Sequence, residues 1–374
     1  MNRFQFFVRL GIVGGLWTLL NVYVGGHVLG PAGLSGLPRI LAWGAVLLVA
    51  WLPLVALVAA RSGRRGPLMR ALDWAAYTVL GLVSLLIVFF AVADLLHLSA
   101  WGTGDGIGAT AVTLAVVSGA VLVTLVGMVA ARRPRVVRVA VPIAGLPSDL
   151  AGFRIVQLSD LHIGPTIRRR FVDAVVDRAN ALQPDLVAVT GDVADGLVPD
   201  LREHVAPLGR LRAPHGAFFV TGNHEYFWDV RGWTLELERL GIEVLENEHR
   251  LLVQGNGRLV IAGVTDLSAA SDPAAAIAGA PHSDVRVLLA HQPRSAFAAQ
   301  VAGYDLQLSG HTHGGQYFPF NLLVRLFQPF VAGLHRLERM WLYVSRGTGY
   351  WGPPLRLGAP SEITLLELVQ PSPR

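Results

Sequence analysis

The sequence predicts a four-helix transmembrane region followed by an α/β domain, and three observations carry that expectation. Charge is sparse and unevenly placed, four long apolar runs crowd the first third, and the remainder alternates short β-branched runs with amphipathic stretches. Of 374 residues, 52% are hydrophobic and 15% charged, which excludes a largely disordered chain. No cysteine is present, so a disulfide scaffold and a thiolate metal site are both excluded. All 31 basic residues are arginine. Seven of them, with three acids, fall in residues 1–131, leaving 24 Arg against 23 acids in the rest. A nearly neutral second part removes the main electrostatic argument for a nucleic-acid partner.

The apolar runs are Leu10–Leu29, Ile40–Ala60, Ala75–Ala93 and Ile107–Ala131, and none contains Asp, Glu or Arg. A membrane crossing takes roughly 20 apolar residues. Helices buried in a soluble core would show a polar stripe, whereas these are apolar around their circumference. The first run exceeds a usual signal-peptide core and lacks an obvious small-residue cleavage site, so it is read as a retained helix. Arginine placement gives the orientation. Arg3 and Arg9 precede the first run, the loop 61–70 holds four Arg, and Arg132, Arg133, Arg135 and Arg138 follow the fourth run. The loop 30–38 is uncharged and the loop 99–106 carries only Asp105. Positive charge inside then places both ends, and the globular domain, in the cytoplasm of a multi-pass cell-membrane protein. Asp94 and His97, three residues apart, suggest a proton relay but sit near the interface, where snorkelling is the simpler account. Residues 132–151 read as a basic juxtamembrane linker touching lipid headgroups, and 152–374 as the globular domain.

In that domain the expected strands are Phe153–Ser159, Leu186–Thr190, Ala217–Thr221, Leu259–Val264, Val285–Ala290 and Asp305–Ser309, then Trp341–Ser345 and Glu362–Val369. Helices are expected over Arg169–Ala181, Asp200–Leu211, Arg231–Leu240 and Pro293–Val301. In such folds ligands gather beyond the carboxyl ends of strands. There the chain places Asp160-Leu161-His162, Gly191-Asp192, Gly222-Asn223-His224-Glu225, His291 and Gly310-His311-Thr312-His313. One such end is an ordinary turn. Of the chain's 12 histidines, five occur at these ends, which turns alone do not explain.

Carboxylate, imidazole and amide ligands without sulfur suit Mn, Fe or Zn, and so many positions imply two divalent ions. A dinuclear site can hold a bridging hydroxide as nucleophile and stabilise an in-line displacement at phosphorus, so phosphoester hydrolysis is the expected chemistry. In order and spacing these motifs resemble the calcineurin-like metallophosphoesterases, over roughly residues 153–368. The resemblance implies two mixed β-sheets sandwiched between helices. It also implies Asp160, His162 and His313 as ligands of the first metal, Asn223, His291 and His311 as ligands of the second, and Asp192 as the bridge. His224 would be the general acid toward the leaving oxygen, oriented by Asp195, although Asp195 is alternatively a turn or capping residue before the Pro199 helix. Gly196 stands where phosphoprotein phosphatases of the superfamily carry arginine, which points toward phosphodiesterase-like members. The branch resembled is the membrane-associated bacterial one, with its G-H-T-H-G-G-Q run and a segment like residues 345–354.

In that segment Arg346, or Arg356 beyond it, is a candidate phosphate ligand over the substrate, or else the segment is a tight turn between strands. After His313 come Tyr317, Phe318, Phe320, Leu322, Leu323, Leu326, Phe327 and Phe330, interspersed with Arg325, Arg336 and Arg339. Core packing is one account. An apolar lip meeting the bilayer or a lipid tail is the other, and it would suit a phospholipid or lipid-linked nucleotide. A membrane sensor or transport-like protein binding a phosphorylated ligand without turnover is the competing function. No protein partner is implied.

Overall fold

The computed structural model describes residues 3–60, 66–96 and 106–371. The chain divides into two compact units, Met1–Val129 with Gly352–Leu355, and Ala130–Trp351 with Arg356–Arg374.

Four helices make up the first unit: α1 (Arg3–Leu29), α2 (Gly36–Ala60), α3 (Pro67–Leu95) and α4 (Gly106–Ala131). Each contains a stretch long and apolar enough to cross a membrane, Gly11–Leu29, Gly36–Ala56, Pro67–Leu95 and Gly108–Ala131. α3 begins eight residues before the expected run because Pro67 supplies a pre-set first turn ahead of the apolar residues. Leu48 and Leu68, 75% and 80% exposed, point outward as lipid-facing residues do. Between helices, small residues allow close approach: a Cβ on Gly25 of α1 would lie 2.7 Å from the Trp43 ring of α2. Asp94 is engaged within this unit, accepting from the Tyr23 hydroxyl at 2.5 Å and lying 3.2 Å from His27 Nε2. His27 in turn stacks on Phe90. Asp94 is therefore tied between helices, while His97 lies outside the described residues, as do the loop residues 61–65 and 97–105.

The second unit contains twelve strands: β1 (Arg135–Pro142), β2 (Arg154–Leu158), β3 (Leu186–Val189), β4 (Ala217–Phe219), β5 (Ile242–Val244), β6 (Glu248–Gln254), β7 (Gly257–Gly263), β8 (Val285–Leu289), β9 (Leu306–Ser309), β10 (Gly333–Leu337), β11 (Met340–Val344) and β12 (Glu362–Val369). They form two six-stranded sheets, ordered β1-β12-β2-β3-β4-β5 and β10-β11-β9-β8-β7-β6. Both are mixed. β12 runs antiparallel to β2, and β6 and β10 are antiparallel to their neighbours, while the central pairs are parallel.

Strand alternation sets the layers. On β3, Leu186 and Ala188 face one core while Val187 and Val189 face another. The first of these cores lies between the sheets, where Leu186 and Ala188 meet Leu259, Ile261, Val287 and Leu308. Val187 and Val189 pack instead with Val172, Val175 and Val176 of α5 (Arg169–Ala181), Leu201 of α6 (Val198–Val205) and, past α7 (Asn223–Trp228), Trp233 and Leu237 of α8 (Val230–Arg239). Behind the second sheet, Leu288 and Leu342 pack with Ala276 of α9 (Pro273–Ile277) and Ala296 and Ala299 of α10 (Ala296–Ala302). The expected sandwich of two mixed sheets between helices is thus the observed architecture.

Three expectations need correction. Residues 132–151 are not simply a basic linker: Arg135–Pro142 form β1, paired in parallel along all eight residues with β12. β1 is an edge strand, and arginine on an exposed edge discourages further pairing, so the same charges that read as a linker are compatible with a strand. The helix expected over Asp200–Leu211 starts at Val198 and passes into a 3₁₀ turn over Ala206–Arg210, where Pro207 cannot donate to the preceding turn. Finally, the aromatic run after His313 is not core packing throughout. Tyr317 is buried, but Phe320, Leu322, Leu323, Leu326 and Phe327 are exposed, on the short helix α11 (Phe320–Leu323) and the turn that follows it.

Candidate metal centre

Every one of the five motifs lies on a sharp turn beyond a strand. β2, β3 and β4 of the first sheet deliver Asp160 and His162, Asp192, and Asn223 with His224; β8 and β9 of the second deliver His291, and His311 with His313. The centre therefore sits where the two sheets present their carboxyl edges side by side. Among the described residues ten non-glycine residues have positive φ, and Asp160, His162, Asp192, His311 and His313 are five of them. Such backbone costs roughly 1 kcal/mol or more per residue and is retained where surrounding contacts impose it. Glycines permit the close approach. A Cβ on Gly222 would lie 2.2 Å from Asp192 Oδ1, and one on Gly310 would lie 2.2 Å from Asp160 Oδ2.

The side chains converge as three overlapping groups: Asp160, His162 and His313; Asp192, His291 and His311; and His162, Asp192 and His224. His162 Nε2 lies 3.0 Å from His313 Nε2, and Asp160 Oδ1 is 3.4 Å from the latter. On the other side His311 Nδ1 is 3.0 Å from Asn223 Oδ1 and 3.3 Å from His291 Nε2. Asp192 Oδ2 stands between the groups, 3.2 Å from His291 Nε2 and 3.8 Å from His162 Nε2.

The donor set fits divalent metal. His291 Nδ1 donates to the Thr190 carbonyl at 2.8 Å and His162 Nδ1 donates to Asp195 Oδ1 at 3.2 Å, so each ring turns its Nε2 inward. Burial would lower His291, yet Asp192 and Asp160 raise it to about 10, so this ring would release its Nε2 proton on binding a cation. Outer partners of this kind hold metal-binding histidines in one tautomer. Burial, together with His291, depresses His311 to about 4; burial, together with Arg356 and His162, holds His313 well below the usual histidine range. Neutral imidazoles of that kind suit metal binding. Burial alone would raise Asp192, but His291, His162 and His224 keep it well below the ordinary carboxylate range.

His224 differs from the other rings. Its Nδ1 donates to Asp195 Oδ1 at 2.6 Å and its Nε2 lies 3.9 Å from Asp192 Oδ2. Burial would lower this imidazole, yet the hydrogen bond and charge of Asp195, helped by Asp192 and Glu225, raise it to about 9. Asp195 thus touches both His162 and His224. It does not cap the next helix, whose N-cap is Leu197.

The two candidate phosphate-binding arginines are placed otherwise. Arg356 is 2% exposed; its guanidinium donates to the carbonyls of Gly349, Arg346 and His313, and its Nη2 lies 3.0 Å from His313 Nδ1. It braces the turn behind His313, its guanidinium nitrogens all engaged within that turn. Arg346 is partly exposed, with Nη1 donating to buried Glu362 at 3.0 Å. A residue to which the sequence assigns no role is Glu225. It is fully buried and accepts from the backbone N–H of Gly222, Val193 and Asp192 at 2.7, 2.8 and 3.0 Å, stapling the turns after β3 and β4 together. Its position directly after His224 was the available signal.

A sandwich of two mixed sheets with this histidine and aspartate cluster at its edge defines a metallophosphoesterase. Residues 153–315 match the Calcineurin-like phosphoesterase family. A Bos taurus "Transmembrane protein with metallophosphoesterase domain" is 40% identical over 78% of this chain and 73% of its own length. The Danio rerio protein of the same name is 40% identical over 69% of this chain and 62% of its own. A Campylobacter jejuni metallophosphoesterase is 40% identical over 64% of each chain. The chain belongs to the calcineurin-like phosphoesterase family, and its match spans a little under two thirds of the latter two relatives.

Proposed function

We propose that this chain is a membrane-anchored dinuclear-metal phosphoesterase that hydrolyses a phosphodiester, with the catalytic unit on the cytoplasmic side. The observation that carries this reading is Asp192, whose carboxylate is shared by two groups of N and O ligands. Asp160, His162 and His313 would hold one divalent cation, Asn223, His291 and His311 the other, with Mn, Fe and Zn all compatible with the donors. When bound, such a pair supplies a nucleophile from water at neutral pH and neutralises charge on the phosphoryl oxygens. Asp195 orients His224 through Nδ1, leaving Nε2 to deliver a proton to the departing oxygen. Asn223, at the first turn of α7, brings its amide oxygen and the adjoining His224 to the same opening.

The four apolar helices and the relatives named as transmembrane support a bilayer anchor, and arginine placement supports the cytoplasmic side. Leu326 and Phe327, 75% and 71% exposed beside exposed Arg325, support a lipid substrate, either a phospholipid or a lipid-linked nucleotide. Purified protein loaded with Mn²⁺ is expected to hold close to two ions per chain and to hydrolyse bis(p-nitrophenyl) phosphate; metal-free protein that binds phosphate without turnover would favour a sensor instead. Replacing Leu326 and Phe327 together by serine should lower turnover of a phospholipid in mixed micelles on the order of 100-fold more than turnover of the soluble diester, in line with two apolar side chains at ~1.5 kcal/mol each. Equal losses on both substrates would remove the lipid lip. A reporter fused at the C-terminus, active only outside the cytoplasm, would reverse the orientation.

A further inference from the structure

Two large aromatic rings lie beside His224, and one of them, Phe227, also packs edge-on against Trp228 with centroids 5.2 Å apart. The Trp351 indole meets the His224 ring edge-on, with centroids 5.7 Å apart, and the Phe227 ring lies 6.4 Å away. Both are more than half exposed, at 56% and 58%. An indole left more than half exposed forgoes part of its apolar burial, so the place of Trp351 beside His224 asks for a reason. Phe227 shares a face with His224 because the two are three residues apart on α7.

Trp351 is held in place by the metal-binding turn itself. The Gln316 side chain clasps its backbone at both ends: Nε2 donates to the Trp351 carbonyl at 2.8 Å, and the Trp351 N–H donates to Oε1 at 2.9 Å. Gln316 lies three residues after His313 and adopts φ 57°, ψ −54°, a conformation an L-residue rarely takes. The preceding residues are tied to the opposite ligand turn, Thr348 N–H to the Ser159 carbonyl at 2.7 Å and Gly349 N–H to the Asp160 carbonyl at 3.0 Å. The backbone that carries the exposed indole is thus fixed from two sides, next to the group assigned to protonate the leaving oxygen.

We infer that Trp351 and Phe227 form the leaving-group subsite, that it selects phosphoesters whose leaving group carries a planar ring, and that Gln316 is the residue positioning Trp351. This rests on the proposed role of the neighbouring centre. A ring stacked on an aromatic side chain should set a selectivity of roughly tenfold, equivalent to about 1.4 kcal/mol and within the range such stacking gives.

The test is calorimetric binding of phenylphosphonate and methylphosphonate to the Mn²⁺-loaded full chain, with metal content measured in every variant. Wild type should bind phenylphosphonate about tenfold more tightly. Trp351→Ala should bring the ratio of the two dissociation constants close to one, Trp351→Phe should restore most of it, and Gln316→Leu should collapse the ratio as Trp351→Ala does while the protein still carries its metal. Equal affinities in wild type, or a ratio that survives Trp351→Ala, overturn this inference alone. Failure of either phosphonate to bind the loaded wild-type protein overturns the phosphoesterase reading and this inference with it.

Discussion

Asp192→Asn is expected to reduce phosphodiester turnover by more than ~100-fold, equivalent to about 2.7 kcal/mol of lost transition-state stabilisation, and to leave less than one metal ion per chain. The substitution keeps the shape of a side chain that is only 2% exposed. The amide oxygen can still accept the His224 backbone N–H, which now reaches Asp192 Oδ1 at 2.9 Å. What changes is Oδ2, the atom 3.2 Å from His291 Nε2 and 3.8 Å from His162 Nε2. An NH₂ group there would turn two hydrogens toward the place where both ligand groups need negative charge. Circular dichroism and thermal melting should show a folded protein, with metal analysis and turnover showing the defect. A fully active, fully loaded Asp192→Asn protein would refute the bridging role.

How far this site could be read from sequence follows from the physics of each part. The ligand turns were legible because a strand of β-branched residues followed by Gly or a short polar residue marks a turn, and metal chemistry narrows those residues to Asp, Asn and His. The four apolar runs were legible because lipid demands length and uniform composition together. β1 was hidden because Arg135 and Arg138 make an exposed edge strand resemble a solvated linker. β5, only three residues long, carries too little alternation to be seen. Arg356 was misjudged for a different reason. A lone arginine in a Gly- and Pro-rich segment has the right chemistry for phosphate, but only the fold shows its guanidinium turned inward onto three carbonyls. The exposed faces of Leu326 and Phe327 were likewise undecidable from composition, since a core and a lip use the same residues.

Glu225→Ala should be the most damaging change that removes no candidate metal ligand. It would lower stability by roughly 3–6 kcal/mol, because each of three buried N–H groups left without an acceptor costs about 1–3 kcal/mol and such costs add incompletely. The donors belong to Gly222, on the turn after β4, and to Asp192 and Val193, on the turn after β3. One carboxylate therefore sets the distance between Asp192 and the Asn223-His224 pair. Water replacing it would need room and several polar partners at once. Glu225→Gln should be intermediate, since its oxygen can still accept while its NH₂ group would oppose a backbone N–H. The expected signature is a lowered melting temperature together with loss of metal, in the order Ala worse than Gln. Glu225→Ala with wild-type melting and wild-type metal content would show that the two turns hold their spacing without this staple.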